Sequence, residues 1–383
     1  MPLFDPEFLE LTRGLDVTAF WEENAQCFGF TTEKPRCPIS FSPDDHWLFE
    51  FAGVESTLRY YQDKEYRDSL HRMANEVTLE YVGRAFFDED TWAAAPKRIE
   101  NLFQCEFAYH EGGTPWLMPV VEDESEESAR AFARILEEAE CTDVAAWALP
   151  ADYRTEWQQR AAAGKPMPKL GTGSRGPATI MTSVLKPETL FYWAADHPEL
   201  LERFSRILAQ KMVEFNHVLR EFSGNNQPGW WITDDNSALF NRRLYKAYCY
   251  PVLERVLNEM APLAAMSDQP GSGPRRYQHS DSAMGHLMEM QYALGIRAVN
   301  YGPTVDAGLI RQTMPEAWIC GQTPPMLLRN GGAEEIRARI VEDFHKAGAS
   351  GGLEVTTAGS LPAGVGVGRM RYMMQVVQEG CRY

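Results

Sequence analysis

The chain has 383 residues, with 54 acidic against 37 basic side chains and a formal net charge of −17. That balance excludes a phosphate-tracking surface, because nucleic-acid binding rests on clustered Lys and Arg and no basic stripe is present. No stretch approaches the roughly 18 uninterrupted apolar residues of a membrane span, and Met1-Pro2-Leu3-Phe4-Asp5-Pro6 has no basic and apolar leader pattern, so no membrane partner is expected. Seven cysteines, at 27, 37, 105, 141, 249, 320 and 381, form no CxxC pair. An odd, scattered set of that kind suits a reducing compartment, and a cytoplasmic location is the expectation.

The length exceeds the roughly 250 residues of a simple (β/α)8 barrel, and the expected organisation is an N-terminal helical and loop extension over 1–36 followed by a single barrel over 37–383. In the extension, Phe20, Trp21, Phe28 and Phe30 are expected to cover the barrel's bottom or one side. Cys37 to Ser42 reads as a first strand, ending in Pro43-Asp44-Asp45-His46, with helix from Trp47. Phe103 to Tyr109 reads as a second strand, with Gly112-Gly113 turning a hairpin into Trp116 to Val121. The acidic run from Glu122 opens a helix, whose positive end it complements, and Ala161 to Lys169 reads as a surface connection. Thr179 to Val184 reads as a third strand. The glycines before it, at 171, 173 and 176, precede that strand rather than following one, which rejects a dinucleotide fingerprint.

Apolar residues from Leu200 to Leu219 recur at helical spacing. Trp230-Trp231-Ile232 is then a fourth strand, ending in Thr233-Asp234-Asp235-Asn236, and a helix returns over Arg242 to Met260. A Pro- and Gly-containing loop over Ser267 to Pro274 leads to a fifth strand. From there strand, polar cluster and helix alternate, with clusters at His279-Ser280-Asp281, Asn300-Tyr301-Gly302, Gly321-Gln322-Thr323 and Thr356 to Ser360. This is an α/β pattern, and a (β/α)8 TIM barrel is its economical reading.

In such a barrel the C-terminal strand ends carry the chemistry. His279 and Asp281 lie two apart at a strand end, so imidazole and carboxylate point to one side. They are candidates for an acid with its orienting partner, or for two ligands of a metal that needs a third from Asp234, Asp235, Glu106 or Cys320. Of the adjacent Asp234 and Asp235, one is expected to face the site and the other to cap a helix. Asp234 is taken as the catalytic candidate and Asp235 as substrate-binding. Asp45 and His46 end the first strand and are candidates to line the pocket, Arg175 offers a planar fork for a carboxylate, and Tyr301, Gln322 and Ser360 are placed to meet substrate oxygens. Late methionines such as Met284, Met370 and Met373 are core filler.

Several segments together carry a family resemblance. They are Asp234-Asp235-Asn236, Tyr245 to Pro251, His279-Ser280-Asp281, Leu294 to Asn300, Gly321-Gln322, Gly351-Gly352-Leu353 and Ala358 to Pro362. In order and spacing the chain resembles the uroporphyrinogen decarboxylase superfamily of (β/α)8 barrels, most clearly from 229 onward. The decarboxylase branch carries an Arg-rich N-terminal signature where this chain has Phe41 to His46, and its late histidine would fall at Ser360. Thiol-directed methyltransferases of the superfamily hold zinc with His-x-Cys and a later Cys, where this chain has His279, Asp281 and Ser360. The pattern is more similar to the branch that demethylates methyl ethers, usually methoxylated aromatics.

That resemblance implies a corrinoid-dependent methyltransferase, the O-demethylase component, passing a methyl group from a small-molecule methyl donor to cob(I)alamin. The cobalamin would be carried by a separate corrinoid protein, since no cobalamin-binding Asp-x-His-x-x-Gly motif is present. It leaves open a divalent metal such as Zn²⁺ on His279 and Asp281. Barrels of this superfamily are often dimers. The alternative is a decarboxylase or lyase of a small aromatic or tetrapyrrole acid, with Arg175 on the carboxylate, and a third reading is a barrel that only docks a partner.

Overall fold

A computed structural model describes residues 4–267 and 275–383. The expected loop at 267–274 therefore lies, beyond Ser267, outside the described residues. Two short strands, β1 (Glu106–Ala108) and β2 (Trp116–Met118), form an antiparallel hairpin of their own, with Gly112 (φ 84) in the turn, as Gly112-Gly113 predicts. The main sheet holds β3 (Gly173–Arg175), β4 (Trp230–Thr233), β5 (Arg276–Ser280), β6 (Ala298–Tyr301), β7 (Trp318–Thr323) and β8 (Leu353–Thr357). All are parallel and in sequential order, as a right-handed series of βα units gives.

Beyond β8, the segment expected as the first strand continues the wall. Ile39 pairs with Val355 and Pro43 with Leu361, both parallel, and the Ser40 N–H donates to the Val355 carbonyl (3.1 Å). Two prolines, Pro38 and Pro43, lack ladder donors and limit it to isolated bridges. The architecture is that of a (β/α)8 barrel, regular over six strands and irregular over its first arc. There, residues 99–103 turn as a 3-10 helix where the second strand was expected to start.

One expectation is overturned. Thr179 to Val184 belongs to a helix, Pro177–Leu185, and the strand is the glycine-rich Gly173-Ser174-Arg175 before it. The helix is buried on almost every face, so its apolar run has no period to betray it. Pro177 at its first turn starts it. The strand needs glycine because a Cβ on Gly173 would lie 2.2 Å from the Trp231 ring and one on Gly176 2.3 Å from Asp234 Cγ.

The N-terminal helix Pro6–Leu11 packs on the final helix, Val367–Gly380, with Phe8 edge-on to Tyr372 at 5.3 Å. The helix Val17–Asn24 is tied in by Trp21, whose indole N–H donates to the Val82 carbonyl (2.6 Å), and by Asn24, whose amide donates to the Ile39 carbonyl (3.1 Å). Phe28 stacks on Trp318 at the start of β7, and Phe30 fills the space that a side chain on Gly352 would need. The extension therefore covers the N-terminal ends of β7 and β8. All seven cysteines are free thiols. Among the described residues no helix is long and apolar enough to cross a membrane.

Candidate active site

Strand parity decides what reaches the barrel lumen. On β5, Arg276, Gln278 and Ser280 are buried outward, where Arg276 donates to the carbonyls of Ala261 and Leu257, while Tyr277 and His279 line a lumen cavity of about 460 Å³. Trp231, Asn300, Cys320 and Glu354 line the same cavity, as does Ser360 beyond β8. In many barrels this space is packed solid with branched side chains. Here a glycine on β3 and polar residues on the other strands leave it open.

At the C-terminal end, His279 Nε2 is 3.0 Å from Asp281 Oδ1, and the Asp281 N–H donates to Asp235 Oδ1 (2.8 Å). The Asp234 N–H donates to the His279 carbonyl (2.9 Å), tying the exit of β4 to that of β5. Ligand atoms of Asp235, His279 and Asp281 all lie within 4.8 Å of one another. Burial pushes the Asp235 carboxyl above the usual carboxylate range, and the neighbouring Asp281 charge adds to that push. For His279, burial alone would lower the pKa. The hydrogen bond to Asp281 and the charges of Asp281 and Asp235 outweigh it and raise the imidazole above its ordinary value.

Two glycines make room for Asp281. A Cβ on Gly302 would lie 2.3 Å from the Asp281 carbonyl oxygen, and one on Gly359 (φ +101) 2.4 Å from Oδ1. Gly359→Ala is therefore expected to displace the carboxylate from His279. The imidazole's titration midpoint, followed by NMR, should move down, with a backbone cost of about 1–3 kcal/mol in thermal unfolding.

The other expected site residues divide. Ser360 lines the lumen cavity. Asp234 does not: it is fully buried behind the sheet, its Oδ1 accepting the Thr179 N–H (2.7 Å), so it is the helix cap of the pair and Asp235 is the one at the site. Tyr301 points the opposite way from its neighbour Asn300, into the helix layer, where its hydroxyl bonds Gln291 and lies 3.7 Å from the Met314 sulfur. Gln322 is buried and donates to the carbonyls of Val305 (2.9 Å) and Gly302 (3.3 Å), holding the loop after β6. Asp45 accepts from the hydroxyls of Tyr60 (3.1 Å) and Tyr61 (2.8 Å), and His46 is exposed with its ring edge-on to Phe49. Arg175 is committed to buried Glu100 (3.0 Å) and to the Ser183 hydroxyl (3.2 Å).

Sequence reasoning passed over Glu354 and Asn300. Glu354 was legible as a carboxylate inside the otherwise apolar Leu353-Glu354-Val355, and it accepts from the Trp318 indole N–H (2.9 Å). Asn300 pairs in register with His279, and its amide bridges the Cys320 and Thr357 carbonyls and the Gly359 N–H.

A barrel with an imidazole between two carboxylates at the C-terminal strand ends, above an open lumen, has the layout of an enzyme. The chain belongs to the uroporphyrinogen decarboxylase (URO-D) family, whose sequence pattern matches residues 72–380. Its fold is shared with a methyltransferase from Methanosarcina mazei at a TM-score of 0.57 and 12% identity, covering 90% of this chain and 94% of that one. A B12-independent methionine synthase from Shewanella sp. W3-18-1 aligns over 54% of this chain and 60% of its own at 14% identity, with a TM-score of 0.32, too low to define a common fold. No curated protein sequence matches the chain.

Proposed function

We propose that this protein is a methyltransferase that takes a methyl group from an O-methyl compound, a methoxylated aromatic, and delivers it to a reduced corrinoid on a separate protein. The observation that carries the reading is His279, hydrogen-bonded to Asp281 and raised in pKa, at the mouth of an open lumen. An aryl or alkyl oxide is a poor leaving group, so the ether oxygen must receive a proton as the carbon–oxygen bond breaks. His279 holds that proton at Nδ1, Asp281 orients the ring through Nε2 (3.0 Å), and Asp235 fixes Asp281 through its backbone N–H. The corrinoid supplies the nucleophile that accepts the methyl group.

The donor set of one imidazole and two carboxylates also fits Zn²⁺ with a fourth position open. Bound there, the ion would be held by Asp235, His279 and Asp281 and would polarise the ether oxygen in the proton's place. The runner-up, decarboxylation with Arg175 on the reacting carboxylate, is disfavoured because that guanidinium already pairs with buried Glu100.

Purified protein mixed with a reduced corrinoid carrier and a panel of methoxylated aromatics should consume the Co(I) absorbance and release the free phenol. No consumption across the panel, with a carrier proven active by a control enzyme, overturns the reading.

A further inference from the structure

A second concavity, of about 440 Å³, is lined by Asp235, whereas His279 lines the lumen, so the two cavities lie on either side of the acid–imidazole cluster. Its walls combine Phe107 and Leu117, cross-strand partners on one face of the β1–β2 hairpin, with three cations, Arg98, Arg175 and Lys186. Glu100 neutralises Arg175. Among the described residues neither Arg98 nor Lys186 forms an ion pair. The Arg98 guanidinium lies 4.6 Å from the Phe107 ring centroid, and Lys186 Nζ gives a hydrogen bond to the Glu122 carbonyl (2.8 Å). Three cations against a single lining carboxylate, Asp235, with the Asp123 charge reaching Lys186 from outside the lining, stand out in a chain with a net charge of −17.

The backbone at Lys186 adds a second observation. It turns between the helices Pro177–Leu185 and Pro187–Asp196 with φ 63 and ψ 149, a region that only glycine enters freely. A glycine would make the turn without strain, and a lysine held there brings a charge to the cavity wall.

We infer that this cavity binds an anionic group of the substrate, and that the methyl donor is a flat molecule bearing a carboxylate. Arg98 and Lys186 take the carboxylate, Phe107 and Leu117 pack on the ring, and the O-methyl end lies toward His279 past Asp235. The inference rests on the reading of Asp235, His279 and Asp281 as the reacting centre.

The test compares para-methoxybenzoate with para-methoxybenzamide, which share ring and ether and differ in charge, by calorimetric titration of the full chain without corrinoid. The benzoate should bind at least about tenfold more tightly. The double variant Arg98→Gln/Lys186→Gln should erase that preference, bringing the benzoate to the affinity of the amide. Lys186→Gly should weaken benzoate binding while the unfolding temperature stays level or rises, a combination that a purely structural lysine does not give. Equal binding of the two probes, a preference that survives the double variant, or no saturable benzoate binding at millimolar concentration overturns the inference. If the preference holds but Co(I) is never consumed, the methyl-transfer reading falls and the anion cavity stands. The reverse result leaves methyl transfer with an uncharged donor.

Discussion

His279→Ala is expected to slow methyl transfer by about 10²–10⁴-fold, the usual worth of a positioned general acid, while the protein still folds, because the imidazole faces a cavity rather than the packed helix layer. The pH profile identifies the group more sharply than the loss of rate. The working form is the protonated imidazole, so the rate should hold at low pH and fall as pH rises through the raised pKa of His279. Asp281→Asn removes the largest of the influences that raise it and leaves burial, which lowers it. The alkaline limb of the profile should then move to lower pH, with the maximal rate reduced as the ring loses its orienting partner. Asp235→Asn removes a weaker, more distant charge and should move the limb in the same direction by less. A zinc-held imidazole has no such proton to release. If the limb ignores Asp281→Asn and a chelator abolishes activity together with bound zinc, the proton-donor role falls and the ion takes its place.

The legible and illegible parts of this site differ by how far apart their determinants lie in the chain. His279 and Asp281 are two residues apart on one strand end, and a period of two puts them on one side whatever the rest of the fold does. The same rule misleads by one residue at β6: Asn300 and Tyr301 are adjacent, one faces the lumen and the other the helices, and the sequence around them does not say which. Asp234 and Asp235 present that ambiguity again, resolved by the Pro177–Leu185 helix, whose N-terminal N–H groups claim Asp234 from more than fifty residues upstream. Asp45 is occupied by two tyrosines of the helix Thr57–Gln62, a contact without a local signature. The run from Thr179 to Val184 has the β-branched composition of a strand, yet burial on nearly all sides supports a helix equally well. The strand beside it is written in glycine because Trp231 and Asp234 leave no room for side chains. Barrel type and the location of the site at the strand ends survive such local errors, since both follow from the repeated alternation of β4 to β8.

Asp234 should govern stability and leave chemistry alone. Burial without a partner on Oδ2 raises its carboxyl from 3.8 to about 7, against the pull of the Thr179 N–H. Between those two values the folded chain holds a proton that the unfolded chain has released. The folded state therefore binds more protons, and stability must fall as pH rises through this window. Each tenfold difference in proton affinity is worth about 1.4 kcal/mol, so up to about 4 kcal/mol is lost by about pH 8 relative to about pH 4. Asp234→Asn keeps the acceptor for the Thr179 N–H and has no charge to bury. Denaturant unfolding should show the variant equal to the parent near pH 4 and more stable than it above pH 7, with the downward slope gone. Asp234→Ala instead strands that N–H and opens a void, and should be about 1–3 kcal/mol less stable than Asp234→Asn at every pH. Methyl transfer at neutral pH separates the two neighbouring acids: Asp234→Asn should stay within a few-fold of the parent, whereas Asp235→Asn keeps an acceptor for the Asp281 N–H but removes a charge that keeps His279 protonated, and should slow the reaction. If Asp234→Asn abolishes turnover in a folded, stabilised protein, Asp234 takes part in the reaction, and the division of labour between capping Asp234 and site-facing Asp235 is wrong.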